Sequence, residues 1–93
     1  MSKVILTGHI IVPDAELSSV KSELDTHIDL TRREVGCLVF KATQDDNNKN
    51  RFNVYEEFSD KASFDNHQVR ASQSKWAEVT RNVERQYEIS GVD

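Results

Sequence analysis

Little in this chain can be cross-linked, kinked or sunk into a membrane. It has one cysteine, one proline and three glycines in 93 residues. A lone thiol, Cys37, forms no internal disulfide, which agrees with a reducing compartment. No apolar run approaches the roughly 20 residues of a membrane span. Basic charge is short as well. Twelve Lys and Arg stand against sixteen Asp and Glu, and the net charge of −4 argues against a nucleic-acid partner. No Cys/His cluster has metal-ligand spacing, so no metal is expected. In the opening MSKVILTGHIIV, Thr7, Gly8 and His9 interrupt any signal-like apolar core, and a cytoplasmic start is expected. What remains, 37% hydrophobic and 30% charged, is the composition of one small globular domain over 1–93. A domain this small buries a modest share of its surface and gains from oligomerisation.

The apolar residues that are present follow clear periods. Lys3–Val12 is rich in β-branched residues. Val4, Leu6, Gly8, Ile10 and Val12 share one face and Ile5, Thr7, His9 and Ile11 the other, a strand covered on both sides. Pro13 ends it. Asp14 is the expected N-cap of a helix of about five turns, with Leu17, Val20, Leu24, His27, Ile28 and Thr31 on its apolar stripe. Gly36 is the expected left-handed stop. Cys37–Thr43 predicts a second strand and Gln44–Asn50 a polar turn. In Arg51–Phe58, Phe52, Val54, Glu56 and Phe58 alternate with Asn53, Tyr55 and Glu57, a third strand. Ser59 and Asp60 cap a second helix running to about Arg81, with Phe64 and His67 three apart on one face. Arg85–Ser90 is a fourth short strand and Gly91–Asp93 a frayed end.

The order β-α-β-β-α-β predicts a ferredoxin-like α+β fold, a four-stranded antiparallel sheet with two helices on one face. Two helices leave the other face bare, and its simplest cover is the same face of a second copy, a homodimer.

Few residues stand out as chemical candidates. His67 falls on the sheet-facing side of its helix, and a histidine titrating near neutrality suits a general base. His27, on the apolar stripe of the first helix, is placed to meet it. Each is otherwise a satisfied core histidine. His9 would complete a three-histidine cluster only if its strand face looks toward the helices. Tyr55 is suited to orienting a substrate hydroxyl or to half-buried packing. Trp76 would wall an aromatic ligand or fill an interface. Phe40 and Phe64 are core aromatics by the general preference and candidate ring contacts. Glu56 and Glu57, adjacent on a strand, point to opposite faces and form no carboxylate pair. One of them is expected to be buried in a cross-strand or cross-dimer bond, with Arg51 or Arg85 as partner. Arg32 and Arg33 read as helix-end charges.

With those residues in view, the chain resembles the antibiotic biosynthesis monooxygenase family of dimeric α+β barrels. The likeness runs through TGHIIVP at 7–13, HIDLTRREVGCLVF at 27–40, RFNVYEEFSDKASFDNH at 51–67 and SKW at 74–76. The family typically shows a glutamate and proline before Gly-Cys-Leu, then Val-Tyr-Glu, an acidic cap and Phe-x-x-His. Val35 stands here in place of the proline. Haem-degrading relatives place tryptophan where this chain has His67 and an axial histidine near Ala77, so haem is not the expected substrate. A second histidine common about five residues beyond Phe-x-x-His is replaced here by Ser72 and Gln73.

The resemblance implies a cofactor-independent monooxygenase acting with dioxygen on an aromatic, quinol or polyketide-like molecule. His67 would be the base and His27 a second polar contact. Tyr55, Trp76, His9, Phe40 and Phe64 would line the substrate. The same scaffold hosts isomerases working through enediol-like anions and members with no known activity, so an isomerase and a non-catalytic binding domain stand as alternatives.

Overall fold

The computed structural model describes residues 3–91. Its strands are β1 (Val4–Ile11), β2 (Cys37–Gln44), β3 (Arg51–Phe58) and β4 (Glu84–Ser90). The helices are α1 (Leu17–Arg32), α2 (Lys61–Ser72) and α3 (Lys75–Val79). The strands form one sheet in the order β2-β3-β1-β4, with every neighbouring pair antiparallel. This is the ferredoxin-like arrangement the element order predicts. Of the expected frayed end, Val92 and Asp93 lie outside the described residues.

The period of two along β1 and β3 places Val4, Leu6 and Ile10 with Phe52, Glu56 and Phe58 on the helix-covered face, where all six are buried. Two apolar clusters result. One joins Ile10, Val12, Val20, Leu24, Phe52 and Val83; the other joins Val4, Leu6, Phe58 and Phe64. Burying a side chain of this kind contributes about 1.5–3 kcal/mol, so each cluster is a substantial part of a small domain's stability. Glu56 lies between Phe52 and Phe58 in sequence and pairs with Leu6 in register, at the seam between the two clusters.

Two helix expectations change. The first helix does not start from an Asp14 cap. Asp14–Glu16 form a tight 3₁₀ turn, and the Asp14 carboxylate instead accepts from Asn50 Nδ2 at 2.7 Å. The proposed second helix is broken. α2 ends at Ser72, and α3 starts after Ser74. Ser72 and Ser74 turn their hydroxyls onto the carbonyls of Val69 and Ala71, both at 2.7 Å. Short hydroxyl side chains compete with the backbone in this way, and such residues favour helix ends over interiors. The Asp60 cap is as expected, with its carboxylate accepting from Ser63 N at 2.8 Å.

Gly36 takes φ +87, the left-handed region expected of it. A Cβ there would lie 2.4 Å from the Ser63 Cβ on α2. Glycine therefore allows the α1–β2 turn, which carries Glu34, to sit directly on α2. Gly36→Ala is expected to lower stability by about 2 kcal/mol, from left-handed strain and the clash with Ser63. An unchanged urea midpoint would show that this close approach is not required.

Candidate functional site

Between α2, α3 and the sheet lies a cleft of about 190 Å³. Leu6 and Glu56 form its sheet wall, His27, His67 and Trp76 its helix wall, and Arg85 and Tyr87 come from β4. The helix break matters here. It starts α3 on a new course, and Trp76 stacks on His27 with ring centroids 4.7 Å apart and an interplanar angle of 8°. Phe40 meets His27 edge-on at 5.4 Å. His27 and His67 lie 5.8 Å apart, so α1 and α2 do bring the two predicted histidines together.

Both histidines are 5% exposed, and Glu56 is 7% exposed. A row of polar contacts runs through them. Arg70 on α2 donates to Thr31 Oγ1 at 2.9 Å and to Glu34 Oε2 at 2.6 Å. The other Glu34 oxygen is 2.7 Å from His67 Nδ1. A carboxylate only accepts, so His67 donates through Nδ1–H and leaves Nε2 as the unprotonated nitrogen. That Nε2 faces Glu56 Oε1 at 3.9 Å, too far for a hydrogen bond. Among the described residues, His27 Nδ1, Glu56 Oε1 and Arg70 Nη1 are buried without a hydrogen-bond partner. Two of these three atoms belong to residues of the cleft wall. Buried polar atoms are usually paired, and unpaired ones grouped at a cleft mark the place of a missing ligand or water.

Burial sets the electrostatics. It pushes His27 down to about 3, helped by the positive potential of His67 and Arg70. His67 is also lowered, chiefly by burial, against the opposing hydrogen bond and charge of Glu34. Glu56 is pushed up to about 7 by burial and then by the Glu34 charge. Near neutral pH the cleft thus holds two neutral imidazoles and a carboxyl group poised between acid and anion.

Other expectations are corrected by the sheet pleat. Tyr55 and His9 lie on the face without helices, with Thr7 opposite Tyr55 and Asn53 opposite His9. They do not reach the cleft, and the three histidines do not converge. Tyr55 instead donates to Glu57, which also accepts from Lys3 at 3.0 Å. Phe64 packs edge-on against Phe58 at 5.7 Å in the second apolar cluster, and it does not line the cleft. Phe40 backs both histidines. Within the chain, neither Glu56 nor Glu57 forms the bond expected of one of them with Arg51 or Arg85. Arg85 donates to Thr80, and Arg51 donates to Asn53. Arg32 is more than a helix-end charge, since it clamps the Phe40 carbonyl through two hydrogen bonds of 3.1 and 2.9 Å.

Sequence reasoning passed over Glu34, Arg70 and the chemistry of Glu56. Glu56 did carry a signal, a carboxylate in phase with Phe52, Val54 and Phe58. Glu34 carried only its place in the family pattern before Gly-Cys-Leu and Arg70 carried nothing, because a turn and a helix flank meet there only through the tertiary fold.

A ferredoxin-like α+β domain with a histidine-walled cleft between helices and sheet is thereby defined. The family model described as antibiotic biosynthesis monooxygenase matches residues 4–79, and the chain belongs to that family. Solved structures agree on the fold. A candidate antibiotic biosynthesis monooxygenase from Nitrosomonas europaea superposes with a TM-score of 0.83 at 18% identity, over 96% of this chain and 88% of that one. MupZ from Pseudomonas fluorescens gives 0.77 at 20% identity, over 94% and 66%. A conserved protein from Methanosarcina mazei gives 0.75 at 19%, over 100% and 95%. No curated protein sequence matches the chain. Among the described residues no helix is long and apolar enough to cross a membrane.

The two kinds of ionisable group act on stability in opposite directions. His27 stays neutral in the fold but is protonated in the unfolded chain below its ordinary 6.5, so stability falls as pH drops from 6.5 toward 3. Glu56 keeps a proton in the fold that the unfolded chain loses above 4.5, so its contribution falls as pH rises from 4.5 to 7. His27→Phe keeps an aromatic ring against Trp76 and removes the first effect. The variant should gain about 2 kcal/mol on wild type between pH 7 and pH 5, read from urea denaturation at both values. Parallel pH dependence in the two proteins would contradict the buried neutral histidine.

Proposed function

We propose that the chain is a cofactor-independent monooxygenase for a phenol-, quinol- or polyketide-like substrate, with His67 as the base. The observation that supports this most is the buried imidazole of His67, oriented by Glu34 so that Nε2 faces the cleft. A substrate hydroxyl or activated C–H gives its proton to Nε2, and the imidazolium is held by the Glu34 carboxylate. The resulting anion is electron-rich enough to pass an electron to dioxygen. Recombination of the radical pair forms a carbon–oxygen bond, and the peroxide takes back the proton. For an anthrone-type CH₂ group, loss of water from the hydroperoxide leaves C=O. One dioxygen is consumed, with one oxygen in the product and one in water. The stacked His27–Trp76 pair offers a flat surface for the ring.

The small cleft favours a compact substrate, since pockets for drug-sized ligands run to about 300–1,000 Å³. The near-neutral Glu56 beside a neutral histidine also favours a second reading, an isomerase that moves a proton through an enediol-like anion. Such an enzyme would turn over a carbonyl substrate without consuming oxygen. A binding domain would hold such ligands without turnover.

The helix-free sheet face is proposed as the contact with a second copy. Ile5, His9, Ile11 and Tyr55 on that face are each half-buried, and β4 is exposed along its whole length. Back-to-back sheets would cover this surface in the manner of a dimeric barrel. Sedimentation at micromolar concentration should give twice the 10.7 kDa chain mass; a monomer would sink the proposal.

Oxygen uptake with a panel of quinols and anthrones tests the activity. His67→Gln should lower kcat/KM by about 10²–10⁴, the usual contribution of a positioned general base. Uptake unaffected by this substitution would rule His67 out as the base.

A further inference from the structure

Building on the proton-abstraction reading, we propose that Glu56 is a second catalytic residue, a carboxylic acid that hydrogen-bonds the same substrate oxygen from which His67 takes the proton. Glu56 Oε1 and His67 Nε2 lie 3.9 Å apart across the cleft and do not bond each other. Oε1 is buried and has no partner. An oxygen placed at a normal hydrogen-bond length of about 2.7 Å from both atoms subtends roughly 90° between them. A hydroxyl group fits that geometry: its O–H donates to Nε2, and a lone pair accepts from the Glu56 acid. Water or a carboxylate would also fill the space. Only an oxygen that carries a removable proton and then becomes an anion uses both partners in sequence, which selects a phenol or an enol.

The surroundings favour the protonated form of Glu56 up to about pH 7. Burial leads, and the Glu34 carboxylate on the α1–β2 turn adds to it. The other titratable and charged groups around the cleft are His27 on α1, His67 and Arg70 on α2, Arg85 and Tyr87 on β4, and Cys37 at the start of β2. Two of these are neutral imidazoles. Arg70 is held by Glu34 and Thr31, and Arg85 is turned onto Thr80. No cation bonds Glu56 and draws it into the ionised form.

As the proton moves from the substrate oxygen to Nε2, negative charge develops on that oxygen. The Glu56 O–H lies within reach of it at a buried position, where such a donor is worth more than in solution. When Glu56 ionises, the donor is lost and a like charge faces the developing anion. Binding and turnover should then both fall on the alkaline side.

The test uses 4-cresol, a phenol about as weakly acidic as tyrosine and so un-ionised below pH 9. Trp76 is the sole tryptophan of the chain and walls the cleft, so its fluorescence reports occupancy. Wild type should bind cresol with constant affinity below pH 7 and lose about tenfold per pH unit above it. Glu56→Gln supplies a neutral donor that does not titrate. It should match wild type at pH 6 and keep that affinity to pH 9, whereas Glu56→Leu should bind weakly throughout. An affinity in wild type that is flat from pH 6 to 9 overturns the proposal. So does an alkaline loss that persists in Glu56→Gln, or an absence of cresol binding at every pH. The oxygenase reading fails separately, if cresol binds with this profile while no quinol or anthrone is turned over.

Discussion

The 2.7 Å hydrogen bond between His67 and Glu34 joins two parts of the chain that are far apart in sequence. Glu34 lies in the turn after α1, His67 lies midway along α2, and the cleft they serve is walled by β3 and β4. The bond also decides which nitrogen of His67 carries the proton. Without it, burial alone would still keep the ring neutral, but nothing would turn Nε2 toward Glu56. Arg70 anchors the other oxygen of Glu34, so the carboxylate is held from two sides. Gly36 and the Asp60 cap bring the turn and the start of α2 into the contact that makes this possible.

The cost of that arrangement is visible in the core. A ferredoxin-like domain of this size would be more stable with one continuous apolar layer between sheet and helices. Instead the layer is split into two clusters, with Glu56, His27 and His67 at the seam. Burial shifts all three from their ordinary titration points, and two of them keep a buried polar atom unpaired. Polar groups kept in a core against stability cluster at sites of chemistry or binding, the role proposed for this cleft. The weak apolar stripe of α2 has the same origin. A helix that walls a cleft presents His67, Gln68 and Ser72 where a purely structural helix would present leucines.

Element order, strand phase and the meeting of His27 with His67 were legible in the sequence because each follows from local periodicity. Period two in Lys3–Val12 and Arg51–Phe58 separated the face of Leu6 and Glu56 from the face of His9 and Tyr55. Choosing which of those faces the helices would cover needed the third dimension. The break after Ser72 was hidden because a long polar-flanked stretch reads as one helix until its serines are seen bonding their own backbone. The roles of Glu34 and Arg70 were hidden for a different reason. A charged residue in a turn and another on a helix flank look like solvated charges, and only tertiary contact shows that they orient a histidine.

Glu34 is proposed to hold His67 as a neutral imidazole with its proton on Nδ1 and its lone pair on Nε2. Nitrogen-15 NMR of the ring in the wild-type protein at pH 7 tests it directly. The account predicts a protonated Nδ1 and an unprotonated Nε2, with that preference lost in Glu34→Ala. A proton on Nε2, or a doubly protonated ring at pH 7, would contradict it.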